Sequence, residues 1–421
     1  MKFLKTIHGL ITISQKRFFA MRFIKYLSQV VPHDFIDGLP IFVTKGNRTI
    51  VLKNDYLCDL FHHIHTSFLY YQKDQTNKER HFQLCAKQLI KKYGIDYAFY
   101  LQYLMEVPYI RLVRNYTKGS HCNTYKFLYW KLNSVQMVQY QNKDSKMIDN
   151  YKRLLYSSRE SSIYTKRLMN TVKDNLQSVT IEKEEAVQFL KALYPDQNDG
   201  KYYKNYISIL NIGENEPYLI SDEHGRIHTN FTVLKKEIRN QFIRIDGEPI
   251  KEKDISNSQA LFFLNLLSNN LNKSINQTEL IEFKDRILDG VLYDNLASHS
   301  GMTRADTKEQ FFRYLFGGVK SQFIEFNNLY PTISKFISRY KRKLGNYKLL
   351  SHELQLLEGE FIFKGICPEM TKQKIKYFTV HDSICVKASE YDKMALIFDS
   401  HLDNLKQKIS EKIQNYFRSD D

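Results

Sequence analysis

The stretch Ile250-Lys251-Glu252-Lys253-Asp254-Ile255-Ser256-Asn257-Ser258-Gln259 joins two kinds of text. A strand-like run over 242–256 leads into it, and Leu261, Phe262, Leu264 and Leu267 follow at helical spacing over about 257–271. Ser256 is the expected N-cap, which puts Asp254 at the C-terminal end of a strand. A second acid occupies a similar place. Asp382 lies between Phe378-Thr379-Val380 and Ile384-Cys385-Val386, at the turn of an apolar strand–turn–strand unit over 375–388. A carboxylate in such surroundings is costly unless a cation or hydrogen bonds compensate it. Asp254 and Asp382 are 128 residues apart in sequence but can meet on adjacent strands. There they could hold two Mg²⁺ ions roughly 3.5–4 Å apart for in-line phosphoryl displacement.

Between them runs a strong helix over 303–316. Thr303 with Asp306 forms a capping-box-like start, and Gly317-Gly318 ends it. Arg304, Lys308, Phe312 and Phe316 recur every four residues and so share one face. Two cations followed by two aromatics suit a nucleotide, the cations on phosphate and the rings against sugar and base. The alternative is an amphipathic helix with solvated cations and a core Phe pair.

The chain has 421 residues and a net charge of +16. The excess is uneven: residues 1–200 carry 30 Lys/Arg against 17 Asp/Glu, and 111–173 carry 13 against 3. There the cations interleave with Tyr116, Tyr125, Tyr129, Tyr140, Tyr151, Tyr156 and Tyr164, the pattern of a phosphate-tracking surface with stacking side chains or of a solvated basic face. Five scattered cysteines without a Cys-x-x-Cys pair argue for a reducing compartment, without a disulfide framework. No run of 18 apolar residues exists, so no membrane partner is expected and a cytoplasmic location is the default. The basic first 33 residues read as a helix of the folded protein rather than a targeting segment.

A hairpin is expected over 40–56 around Gly46-Asn47, and helices over 55–107 and 145–195. His62-His63-x-His65 reads as two exposed imidazoles and one packed one. Pro195-Asp-Gln-Asn-Asp-Gly200 reads as a linker. Beyond it, strands over 205–212 and 242–256, the helices already named and a charged amphipathic helix over 391–417 indicate a mixed α/β (α+β) core.

In their order and spacing these segments resemble family A DNA polymerases of the bacterial DNA polymerase I type, and their relatives the single-subunit phage and mitochondrial RNA polymerases. Asp254-Ile255-Ser256-Asn257-Ser258-Gln259 is similar to that family's Asp-Tyr-Ser-Gln-x-Glu. Arg304, Lys308, Phe312, Phe316 and Gly317 match its fingers helix without a break in spacing, and His381-Asp382-Ser383 its last motif. Gly225-Arg226-Ile227 resembles its Gly-Arg-Leu segment, Ile238-Arg239-Asn240-Gln241-Phe242 the approach to its first motif, and Gln355-Leu-Leu-Glu358-Gly359 a helix on its template path. The likeness covers about residues 222–390.

The resemblance implies a right-hand polymerase with a palm, reduced fingers and a mostly helical N-terminal thumb and accessory region. The implied parts are an accessory region at 1–110, a basic helical thumb at 111–200, palm at 201–271, fingers and template-side helices at 272–369, and a palm hairpin with the C-terminal helix at 370–421. Asp254, Asp382 and the Ile255 carbonyl would hold two Mg²⁺ ions, with Mn²⁺ as an alternative. Arg304 and Lys308 would grip the triphosphate, with Lys308 acting in catalysis. Phe312, Phe316 and Gln259 would surround the nucleotide, and Arg226, Arg239, His381, Gln355 and Glu358 would meet primer and template. The implied partners are nucleoside triphosphates and a DNA primer–template, with RNA as the other template. Gln259 replaces the family's sugar-gating Glu and is still bulky enough to crowd a 2′-hydroxyl. Phe316 lacks the hydroxyl of the RNA-polymerising relatives, while Ser383 copies their last motif. No exonuclease motif is found in 1–200. The expectation is a small DNA polymerase without proofreading, of a kind carried by phages or mobile elements. The alternatives are an RNA polymerase or primase-like synthase of the same fold, and a degenerate palm that only binds nucleic acid.

Overall fold

The computed structural model describes residues 28–36, 40–70, 81–117, 122–128, 137–149, 164–195, 200–215, 218–222, 225–343 and 345–418. The basic N-terminal segment before Ser28, most of the 195–200 linker, and Tyr129, Tyr151 and Tyr156 lie outside them. The chain mixes helices and strands and divides into two compact units. The linker is not their boundary: residues 181–218 and 233–242 group with 1–157, and 158–180 and 219–232 group with 243–421.

In the first unit, β1 (Ser28–Pro32) pairs antiparallel with β7 (Met137–Gln141). The expected hairpin forms from β2 (Phe42–Lys45) and β3 (Arg48–Val51), with Gly46 at a φ of 61° in the two-residue turn. The helical reading of 55–107 holds for Asn54–Tyr70, Ala86–Tyr93 and Tyr97–Glu106, but β4 (His81–Leu84) interrupts it. β4 pairs with β6 (Asn123–Phe127), which also pairs with β5 (Ile110–Arg114). The front of the supposed helical thumb is therefore sheet. Arg111, Arg114 and Tyr116 are exposed on or after β5, whereas Tyr125 and Tyr140 are buried and unavailable for base stacking. Much of the aromatic excess is core: Phe35, Phe61 and Tyr109 meet edge to face at 5.3–5.4 Å, a geometry their ring quadrupoles favour.

Two further expectations are corrected in this unit. His62, His63 and His65 are all buried, at 6, 7 and 4 % exposure, rather than mostly exposed. The run 205–212 is the end of a helix, Gly200–Gly213, not a strand. Its Tyr202, Tyr203, Ile207, Ile209, Leu210 and Ile212 are buried around most of its circumference. A helix enclosed on all sides loses the 3.6-residue stripe, and its β-branched run then imitates a strand.

The second unit is built on a five-stranded sheet in the order β13 (Tyr377–Val380), β14 (Ser383–Lys387), β12 (Glu248–Asp254), β11 (Ile243–Ile245), β8 (Val179–Ile181). A smaller pair, β9 (Leu219–Ser221) with β10 (Ile227–Thr229), belongs to the same unit. Asp246 and Gly247, both at positive φ (51° and 81°), make the tight turn between β11 and β12. β14 is buried from Ser383 to Val386, whereas β12 buries only Ile250. The polar strand is held by the long helix Tyr391–Arg418: Lys251 lies over the Tyr391 ring, and Lys253 lies over Phe398 and pairs with Asp399 at 3.0 Å.

The helix Ser258–Ser268 starts four residues after β12 ends and is buried along almost its whole length, Asn265 excepted. Its Leu261, Phe262, Phe263, Leu264 and Leu267 each contribute roughly 2 kcal/mol by leaving water, which makes it the structural centre of the unit. The helix Lys348–Glu360 packs against both Ser258–Ser268 and Arg304–Phe316. It continues through a wider π-turn, Phe361–Ile366, into Cys367–Lys372. Pro368 lacks the N–H that a regular α-turn would use there, which accounts for the irregularity.

Candidate active site

β12, β14 and β13 bring the two aspartates together. Asp254 stands opposite Ser383 in the β12–β14 register, and Asp382 adjoins Ser383. Opposed residues in an antiparallel ladder lie about 4.5–5.5 Å apart at Cα, and neighbours in sequence 3.8 Å, so the two aspartate Cα atoms are within roughly 9 Å. Asp254 is exposed and Asp382 half-buried. Backbone bends in the left-handed region flank both. His381, at a φ of 57°, is the first residue of the two-residue turn between Val380 and Ser383. Asn257, at a φ of 55°, caps the following helix in place of the expected Ser256 and donates from its side chain to the Gly290 carbonyl at 3.1 Å. Such conformations cost a non-glycine residue of order 1 kcal/mol or more, and at both places they end a strand abruptly beside a carboxylate. Ser383 donates its hydroxyl to the Val380 carbonyl at 3.0 Å, so its presence is accounted for by the turn itself.

Behind the aspartates lies a buried carboxylate. Glu358, 2 % exposed, accepts a hydrogen bond from the Gln259 side chain and sits 3.5 Å from the Arg226 guanidinium. Burial pushes its pKa up to about 7, and the charge of Asp382 pushes the same way, against Arg226 and Gln259. Gly359 brings this helix against the Gly225-Arg226 turn: a Cβ there would lie 3.1 Å from the Gly225 carbonyl carbon and closer to its oxygen. Tyr164, buried, donates to that same oxygen and packs its ring on Phe363 at 4.9 Å.

Sequence reasoning missed Asp222 and His228. Asp222 accepts from the Arg226 backbone N–H at 2.9 Å and faces His228 Nε2 at 2.8 Å, and the His228 ring lies 6.4 Å from that of His381. Both flank the Gly-Arg-Ile segment, Asp222 four residues before Arg226 and His228 two after. That spacing is the only signal that could have found them.

Arg304–Phe316 is capped as expected, Thr303 accepting from the Asp306 N–H at 3.2 Å. Its core face is Thr307, Phe311, Tyr314 and Leu315. Arg304 and Lys308 are exposed on another face, with Phe312 and Phe316 half-buried beside them at 5.7 Å between rings. The Phe pair is therefore not core. Arg304 bonds Asp294 at 3.1–3.2 Å, and Lys308 lies 5.7 Å from the Phe312 ring centroid and 6.0 Å from that of Tyr293. Gln355 is half-buried one turn before Glu358. Arg239 belongs to the first unit, where its guanidinium is buried and donates to the Leu234 carbonyl at 3.2 Å.

The C-terminal end of this helix is held by Lys341, from the helix Pro331–Lys343. Its buried ammonium donates to the carbonyls of Tyr314 at 2.6 Å and Gly317 at 3.0 Å, two groups a helix end leaves without partners. Burial lowers its pKa to about 8. Lys341→Met is expected to destabilise the second unit by roughly 2–4 kcal/mol, because both carbonyls stay buried without a donor. Chemical denaturation at pH 7 checks this.

The donor set fits hard divalent cations of one kind. Among the described residues no group of three or more His, Cys, Asp and Glu side chains gathers to hold a metal. Mg²⁺ commonly takes only one or two carboxylates, with substrate phosphates and water completing its shell. Asp254 and Asp382 supply that number of carboxylates, at positions the strand register brings close to each other. No protein-family model matches the chain, and no curated protein matches it at a significant level. No helix among the described residues is long and apolar enough to cross a membrane.

Proposed function

We propose that this protein is a template-dependent nucleotidyltransferase that adds deoxynucleotides to a primer 3′-hydroxyl, a small DNA polymerase with a reduced right-hand architecture. The observation that carries the reading is the convergence of Asp254 and Asp382 at neighbouring strand ends, in the unit that also holds the Arg304–Lys308–Phe312–Phe316 face. Asp254, Asp382 and the Ile255 carbonyl would hold two Mg²⁺ ions, which would supply charge neutralisation at the reacting phosphate. Lys308 and Arg304 take the β- and γ-phosphates, Arg304 exchanging its exposed partner Asp294 for them. Phe312 and Phe316 pack on sugar and base. The 3′-hydroxyl attacks the α-phosphate in line and pyrophosphate leaves, so the side chains work mainly by positioning and charge.

Gln259 crowds the sugar. Its bond to the buried Glu358 fixes its rotamer, and Glu358 in turn neighbours Arg226 on the minor-groove side. Gln259→Gly is expected to raise the ratio of kcat/KM for NTPs over dNTPs by roughly 10- to 200-fold, the worth of a steric discrimination in a pocket. A ratio is read, so any general loss of stability cancels.

Mg²⁺-dependent primer extension, comparing dNTPs with NTPs on DNA and RNA templates, tests the reading. Extension with dNTPs supports it. Extension confined to NTPs supports the RNA-polymerase or primase-like alternative, and binding without extension under any condition supports a degenerate palm.

A further inference from the structure

Cys85 and Cys122 form a pair that the proposed chemistry does not use. Their spacing in sequence carries no disulfide signature, but the β4–β6 register brings them together. The ladder runs His81↔Lys126, Phe82↔Tyr125, Gln83↔Thr124 and Leu84↔Asn123, so its next step opposes Cys85 to Cys122. Directly opposed residues have Cα atoms about 4.5–5.5 Å apart and side chains on the same face of the sheet. A disulfide needs Cα atoms about 4.4–6.8 Å apart, and opposed positions of an antiparallel ladder fall within that range. Both residues are partly exposed free thiols, and they are close enough for the two side chains to interact. The other three cysteines, Cys58, Cys367 and Cys385, are buried.

We propose that Cys85 and Cys122 are a redox-active dithiol, a modification site that a low-molecular-weight disulfide such as oxidised glutathione converts to an intramolecular disulfide. Burial raises the Cys122 thiol above its ordinary range, and so does Cys85, to which it is hydrogen-bonded. The first step is written on Cys85, and attack by Cys122 first leads to the same disulfide. The Cys85 thiol gives up its proton to solvent, and its sulfur attacks oxidised glutathione. A protein–glutathione mixed disulfide forms and one glutathione thiolate leaves. Cys122 then loses its proton and attacks the Cys85 sulfur, the Cys85–Cys122 bond forms and the second glutathione leaves. Two protein thiols are oxidised by two electrons, and one disulfide is reduced to two thiols.

The ring so closed contains the helices Ala86–Tyr93 and Tyr97–Glu106 and the strand β5. Cross-linking a loop of this size restricts the unfolded chain, so the oxidised first unit unfolds at a higher temperature, by on the order of 10 °C.

The test incubates the full chain with oxidised glutathione and maps its peptides without reduction. The expected product has lost two hydrogens, yields one cross-linked peptide joining Cys85 to Cys122, and melts several degrees higher. Cys85→Ser and Cys122→Ser are each expected to give no cross-link. Cys122→Ser should stop at the mixed disulfide, since the second thiol is missing. The proposal is overturned if the wild-type chain keeps both thiols, stops at the mixed disulfide, or cross-links a different pair. The wild-type readout stands even where a variant folds poorly.

Discussion

Asp254→Ala and Asp382→Ala each lower Mg²⁺-dependent primer extension by at least roughly 10³-fold while leaving duplex binding within a few-fold of the wild type. The magnitude follows from the charge at stake, since losing the anchor of a catalytic cation removes several kcal/mol of transition-state stabilisation. The selectivity follows from location. Asp254 is exposed at the end of β12, and Asp382 half-buried in the β13–β14 turn. Neither has a hydrogen bond whose loss would be expected to unfold the sheet, whose core is Ile384, Cys385, Val386 and Phe378. Both substitutions remove negative charge from a chain of net charge +16, so binding to a polyanion should not weaken on electrostatic grounds. Steady-state extension with each variant, alongside duplex titration at fixed salt, separates the two effects. Unchanged extension in either variant would refute the assignment.

The second large effect concerns acid. Burial lowers the pKa of both His62 and His65 from 6.5 to about 3; for His62 the charges of His65 and Lys92 act the same way, against its bond from the Val30 N–H. His62 Nδ1 also meets the Tyr203 hydroxyl at 3.3 Å, and the His65 ring packs on Tyr203 at 4.5 Å. The folded first unit therefore refuses protons that its unfolded chain accepts. The contribution is fully present above pH 6.5 and is lost as pH falls from 6.5 towards 3. Two such groups give a slope of about 3 kcal/mol per pH unit across that range, which over two pH units amounts to several kcal/mol. This is comparable to the whole stability of a typical domain. Hydrogen exchange of the Asn54–Tyr70 amides at pH 7, 6, 5 and 4, corrected for intrinsic rates, should show protection near its maximum at pH 7 and falling along that slope below pH 6. His65→Gln should roughly halve the slope, and constant protection down to pH 4.5 would contradict the account.

How far these features could be read in advance depended on whether their cause was local. The start of Arg304–Phe316 is set by Thr303 and Asp306 three residues apart, and the β13–β14 hairpin by two apolar runs around His381-Asp382, so both were legible. The strand end at Asp254 was legible for the same reason, although its helix is capped by Asn257. The helix Gly200–Gly213 was not, because burial on most sides erased its periodicity. The burial of His62 and His65 was not legible, because it depends on a distant partner, Tyr203. In the candidate site, the bond between Gln259 and Glu358 spans 99 positions, and no pattern in either segment announces it. The Asp222–His228 contact was hidden differently, since only the β9–β10 turn makes the two face each other.

The proposed chemistry requires Asp254 and Asp382 to share divalent cations. Titration of Mn²⁺ into the protein with a non-hydrolysable deoxynucleoside triphosphate, followed by electron paramagnetic resonance, tests it without relying on turnover. Nucleotide-dependent Mn²⁺ binding is expected in the wild type, weakened at least tenfold in both Asp254→Asn and Asp382→Asn. Binding as tight in both variants as in the wild type would contradict it.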